Sequence, residues 1–183
     1  MPTCDTYCIT PMPEHTVNDC GETVAAGGKN SVTFDCQSAA YQNTDYTKLT
    51  IEQDVADGYA TIIKDTMIDA PDATPNAASA AAVAGEEPVI KSYTQTLTIS
   101  DPNISELNDA AYEELDATNG RKIAAVITTT VDGHSELYEA ISSFQMTITK
   151  PSTGSVDDFI KYTSTITGKM KNKSKMIATP DIY

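Results

Sequence analysis

Lys91-Ser92-Tyr93-Thr94-Gln95-Thr96-Leu97-Thr98-Ile99 places Tyr93, Leu97 and Ile99 on one side of an extended chain. Ser92, Thr94, Thr96 and Thr98 fall on the other. Successive side chains of a pleated strand point to opposite faces, so a period of two marks a strand with one face buried. Threonine suits such a half-buried pleated surface, and this stretch reads as a strand.

The same texture recurs on both sides of it. Ser31 to Cys36, Lys48 to Glu52, Lys122 to Val131, Phe144 to Lys150 and Phe159 to Thr167 all alternate hydroxyl with apolar or aromatic residues. Threonine supplies 26 of the 183 residues, which makes the pattern general. A mainly β chain with six or seven strands is expected. Asp132-Gly133 follows one of these segments and is a dipeptide favoured in tight hairpins, so a further strand should start there.

One segment departs from this period. In 103–116, Ile104, Leu107, Ala111 and Leu115 recur three or four apart, an amphipathic stripe that predicts one flanking α-helix over about residues 103–117. Asn103 with Glu106 could cap its start, and Asp101-Pro102 is an equally good one. Asn119-Gly120 supplies the stop. Residues 70–88 are small side chains punctuated by Pro71, Pro75 and Pro88, and predict a long exposed loop. Their Ala-rich middle could instead form a short helix.

Three regions result. Residues 1–40 hold an N-terminal arm and first strand with all four cysteines; 41–168 form the body; 169–183 form a basic end. The net charge is −14, divided into −17 over residues 1–168 and +3 over 169–183. With a pI near 4.3 and a single arginine, Arg121, the chain lacks the clustered cations that release counterions from a nucleic acid. No run of 18 apolar residues could span a bilayer, and Met1-Pro2-Thr3-Cys4-Asp5 has neither a basic nor an apolar leader region. A soluble protein made in the cytoplasm is expected.

Motifs that carry chemistry are few. His134 lies beside the expected hairpin turn, and no Gly-x-Ser-x-Gly elbow accompanies it. Gly27-Gly28-Lys29-Asn30 lacks the first glycine and the final hydroxyl of a phosphate loop. Asp54 and Asp57 do not have calcium-loop spacing, and Lys64-Asp65 and Asp157-Asp158 show no convergence on a pocket. Nothing here argues for an enzyme, and no cofactor is expected.

Cys4, Cys8, Cys20 and Cys36, with His15 between them, are the weak zinc candidates, since four soft ligands could form a tetrahedron. The short paired spacings of zinc ribbons are missing. Disulfides in an oxidising compartment are a second reading. Free thiols are the preferred one.

The order of strand, acidic helix ending in Asn119-Gly120, strand, Asp132-Gly133 hairpin and Thr-rich final strand resembles the tail tube (major tail) proteins of long-tailed bacteriophages, over residues 88–170 or so. The most telling part runs from Phe144 through the small-residue loop Ser152-Thr153-Gly154-Ser155 and Asp157-Asp158 to Gly168-Lys169. The cysteine cluster is not part of the resemblance.

The resemblance implies an antiparallel β-sandwich or open barrel that assembles into a hexameric ring, with rings stacked into a tube for passage of the phage genome. The expected partners are further copies of the chain and other tail proteins, in the virion. DNA would pass without specific binding, and no membrane is involved. Six copies at −14 carry −84, which repels phosphates across a gap comparable to the Debye length of roughly 8 Å. Carboxylates of the central strands are expected to face this lumen, and Lys169, Lys171, Lys173 and Lys175 to contact acidic surface on an adjacent subunit. By the same analogy, 70–88 would be a ring-stacking loop. The alternative is a capsid decoration or head-fibre β-domain of a phage particle; a surface adhesin-type domain is a weaker third.

Overall fold

A computed structural model of the chain describes residues 29–36, 46–78, 89–117, 123–130, 133–150 and 161–181. The elements are β1 (Lys29–Cys36), α1 (Lys48–Ala56), β2 (Ala60–Ile63), β3 (Met67–Asp69), β4 (Thr74–Ala78), β5 (Val89–Asp101), α2 (Glu106–Ala117), β6 (Ile123–Thr130), β7 (Ser135–Thr149), β8 (Tyr162–Met170) and β9 (Lys175–Ile177). The mainly β expectation holds: nine strands form one antiparallel sheet, with two short helices.

The pairings close on themselves. β5 pairs with β8, β8 with β7, β7 with β6, and β6 with β1 through seven residue pairs from Lys29↔Thr130 to Cys36↔Ile123. On its other edge β1 meets β2, and Lys29↔Ile68 adds β3, which pairs with β5 and completes the circuit. The strand pairings close into an antiparallel barrel. Closure removes the free edges that strands rich in Thr, Val and Ile would otherwise present.

Inward residues of every barrel wall meet in one core. Val32, Phe34, Ile63, Leu97, Ile99, Val126, Tyr138, Phe144, Ile166 and Met170 are all buried there. A smaller cluster lies outside the wall, where Ile51 of α1 covers Ala125, Ile127 and Leu137. β6 is therefore buried on both faces, which explains why Ile123-Ala124-Ala125-Val126-Ile127 is continuously apolar where the other strands alternate.

Three expectations are corrected by the structure. Lys48 to Glu52 is the first part of α1 and not a strand. Thr47 caps it reciprocally with Thr50, and Leu49, the residue that suggested alternation, is 74% exposed. A stop follows at Gly58, whose φ of 77° allows Tyr59 N–H to reach Asp54 O and Gly58 N–H to reach Val55 O. Within the expected loop 70–88, Thr74–Ala78 forms β4 on β5; residues 79–88 lie outside the described set. β4 is held by backbone pairing and by Asn76 Nδ2 donating to Ser92 Oγ and Thr94 Oγ1, so it has no apolar period to read.

The third correction concerns the helix stripe. α2 starts at Glu106, after Ser105, whose Oγ accepts from Asn108 N–H. Asp101 and Asn103 use their side chains in the preceding turn instead. Ala111 and Leu115 are buried as expected, but with Asn108 and Tyr112, and Leu107 points outward at 68% exposure.

β7 bulges in the middle. Between the pairs Ala140↔Met170 and Gln145↔Thr167 it uses four residues against two of β8, and its register with β6 shifts at the same place. The slack lets Phe144 enter the core across Gly168. A Cβ at Gly168 would stand 2.5 Å from Phe144 Cδ1 and 3.1 Å from its Cα, too close on the backbone side to be relieved by a rotamer change. Gly168→Ala should therefore lower stability by about 1–3 kcal/mol, the usual cost of overpacking. Urea denaturation measures this; an unchanged midpoint would mean that the strands are not so closely held.

Candidate functional site

The two ends of β8 have opposite chemistry. At its start, Tyr162 pairs with Asp101 of β5, and α2 packs on this end of the barrel. At its finish, Met170 leads into a turn at 171–174 and then β9, along the other edge of β7 from β6.

The α2 end is built around a buried carboxylate. Asp101 is fully buried; its Oδ1 accepts from Asn103 N–H and Asn103 Nδ2 at 2.8 Å each, and its Oδ2 accepts from Tyr112 Oη at 2.7 Å. These bonds offset the cost of removing an acidic side chain from water. Asn108 Nδ2 donates to Asn103 O at 2.8 Å, so helix, turn and strand share one network. The Tyr112 ring stacks on Tyr162 at 4.4 Å between centroids, and Tyr162 Oη donates to Asp109 Oδ1 at 3.3 Å. Lys150 Nζ bridges Asp109, at 3.2 Å, and Glu113 on the helix surface.

The network raises phenol pKa values. Burial, and then the Asp101 carboxylate, hold Tyr112 far above its ordinary 10.0, and burial with Asp109 raises Tyr162. Tyr138, on the inner side of β7, is raised by burial and by Glu136, to which it donates. The geometry of the network serves to position α2.

The lysine end is where the sequence placed a subunit contact. Lys169, Lys171, Lys173 and Lys175 are all exposed, but they do not form one extended row, because the turn at 171–174 separates β8 from β9. Lys175 Nζ is paired with Glu139 at 3.0 Å. Ser174 Oγ donates to Glu136, which anchors the turn to β7. Lys173 Nζ stands 5.9 Å from the Tyr93 ring centroid, within reach of a cation–π contact. Lys91, two residues before Tyr93 on β5, is exposed at the same end, and the sequence reading missed it. Among the described residues none of Lys91, Lys169, Lys171 and Lys173 has an ion-pair partner, and the same end exposes Ile90 and, in the β7 bulge, Ile141.

Between the ends, the outer face of β5, β8 and β7 is a sheet of hydroxyls. Thr96, Thr167 and Gln145 form one cross-strand row, Thr98, Thr165 and Thr147 the next, and Ser100, Thr163 and Thr149 a third. Thr96 and Thr167 share a hydrogen bond at 3.3 Å. These three rows carry no carboxylate. The inward positions of these strands are taken by the core, and the outward ones by threonine.

The other candidates divide simply. Cys4, Cys8, His15 and Cys20 lie outside the described residues; Cys36 ends β1, with its side chain outside the described set. Among the described residues no cluster of His, Cys, Asp and Glu could hold a metal ion, and no helix is long and apolar enough to cross a membrane. His134 is exposed in the β6–β7 turn, where its N–H donates to Thr130 Oγ1 and Gly133 takes a φ of 80°. Compared with known proteins, the chain matches no family model, no curated protein and no solved structure.

Tyr112→Phe should cost about 1.5–3 kcal/mol, since it removes a hydrogen bond to a buried carboxylate. The alkaline limb is a second reading of the same network. A phenol whose pKa is raised on folding keeps its proton while the unfolded chain loses one above pH 10.0, so stability is lost as pH rises past that value. The loss should be shallower in Tyr112→Phe than in the wild type. Chemical denaturation between pH 8 and 11, by roughly one-unit steps around the tyrosine range, would expose equal slopes if the account of Tyr112 were wrong.

Proposed function

We propose that this chain is a structural virion protein, a tail tube subunit that polymerises as stacked hexameric rings to form a channel for the genome of a long-tailed bacteriophage. The reading rests first on the order and texture of residues 88–170. The structural observation that supports it best is the lysine end of the barrel, where Lys91, Lys169, Lys171 and Lys173 have no ion-pair partner among the described residues and Ile90 and Ile141 are exposed. Surfaces of this composition are suited to burial against another protein.

Two further features agree with assembly. The β4–β5 ribbon runs on past the last β5–β8 pair, Tyr93↔Met170, and so extends the sheet beyond the closed part of the barrel. Its outer strand carries Pro75, which cannot donate to a further strand and so discourages indiscriminate pairing. For the channel wall, the three hydroxyl rows of β5, β8 and β7 carry no cation, the first at the lysine end being Lys169 opposite Thr94, while the −14 of each copy supplies repulsion at longer range. Passage without grip would follow from the two together.

Purified protein examined by negative-stain electron microscopy, with and without reducing agent, should form tubes with six-fold end views. A stable trimer, or a monomer that binds capsids, would contradict the tube and favour a decoration protein.

A further inference from the structure

The lysine end has a chemical counterpart at the opposite end of the same strand. There the outward face of α2 presents Glu106, Leu107, Ala110 and Glu113, an exposed leucine beside carboxylates. The lysine end presents Lys91, Lys169, Lys171 and Lys173 beside Ile90 and Ile141. Each face thus combines an apolar residue with charge, positive at the lysine end and led by Glu106 on α2, where Lys150 already pairs with Glu113. Both are fixed to the barrel: α2 by Tyr112 and Leu115 in the core, and the lysine turn by Ser174 and Lys175 on β7.

From this we infer that the lysine end docks on the outward face of α2 of a second copy, so that copies join head to tail along the direction of β8. Residues of the two surfaces differ, which makes the contact heterologous; each added copy leaves one fresh lysine end and one fresh α2 face, and growth does not terminate. Leu107 seats beside Ile90 or Ile141, and the lysines face Glu106 beside it, since Lys150 already holds Glu113. Like ends repel, so the charges also fix the polarity of joining. The inference deepens the tube reading, on which it rests only for the statement that this contact is the one between rings. Lys175 has no part in it, because Glu139 already holds its ammonium.

Sedimentation velocity on three proteins tests it: the wild type, the basic-end variant K169E/K171E/K173E, and the helix variant E106K/A110K. All five positions are exposed, and circular dichroism with a melting curve confirms the fold of each variant. The wild type should associate at low ionic strength and dissociate as salt is added. Each variant alone should associate on the order of tenfold more weakly or worse, since its two ends now carry like charge. An equimolar mixture should recover association, because each end of one variant complements an end of the other. A monomeric wild type at low salt, a basic-end variant that associates as the wild type does, or a mixture no better than its components would each overturn the inference. Tubes formed by the basic-end variant would remove this contact and leave the tube reading standing; salt-sensitive wild-type chains without tubes in micrographs would do the reverse.

Discussion

The pairing of β1 with β6 is the constraint on which the rest of the structure depends. It spans the longest sequence separation of the strand pairings, joining residues 29–36 to 123–130 where β5–β8 joins 93–101 to 162–170, and it turns an open sheet into a barrel. Phe34 and Val32 enter the core through it, and Thr33 is buried on the other side of the same strand. Without that ladder β6 would lose the partner along one edge and α1 would lose the surface it covers. Loop-closure entropy opposes so distant a pairing, and burial of β6 on both faces offsets it.

A barrel closed in this way has little side to offer another chain. Its outer wall over β5, β8 and β7 is threonine, its edges are paired or short, and β4 is blunted by proline. The surfaces proposed to associate are the two ends. These are also where charge gathers: a buried acidic network with carboxylates on the helix above it, and exposed lysines on either side of Met170. The net charge of −14 is therefore less informative than its placement.

How much of this was legible in the sequence varied with how much apolar burial each element needs. β5 and β8 have an inward residue at every second position and are legible close to their bounds, whereas of β7 only the part from Phe144 reads as a strand, because the bulge breaks its alternation. α2 is legible as a helix, but Ile104 and Leu107 suggest the wrong stripe: Tyr112 faces inward to the buried Asp101 carboxylate and Asn108 to the Asn103 carbonyl. β2, β3 and β4 are short pieces interrupted at Asp65, whose φ is 55°, and at Pro71, and backbone pairing rather than periodicity makes them strands. α1 was misread because Leu49, Thr50 and Ile51 alternate by chance over a single turn. Lys91 was overlooked at the lysine end because only the fold brings it beside residues 169–173. No sequence rule places Asp101 at the centre of a network whose other members come from α2 and two strands.

Native-state hydrogen exchange tests barrel closure most directly. If β1 and β6 seal the wall, the amides of Val32 to Phe34 and of Val126 to Thr128 should exchange only through global unfolding, as slowly as those of Leu97 and Ile166 in the middle of β5 and β8. Exchange of β1 and β6 as fast as that of the edge strands β4 and β9 would show an open sheet and contradict the account.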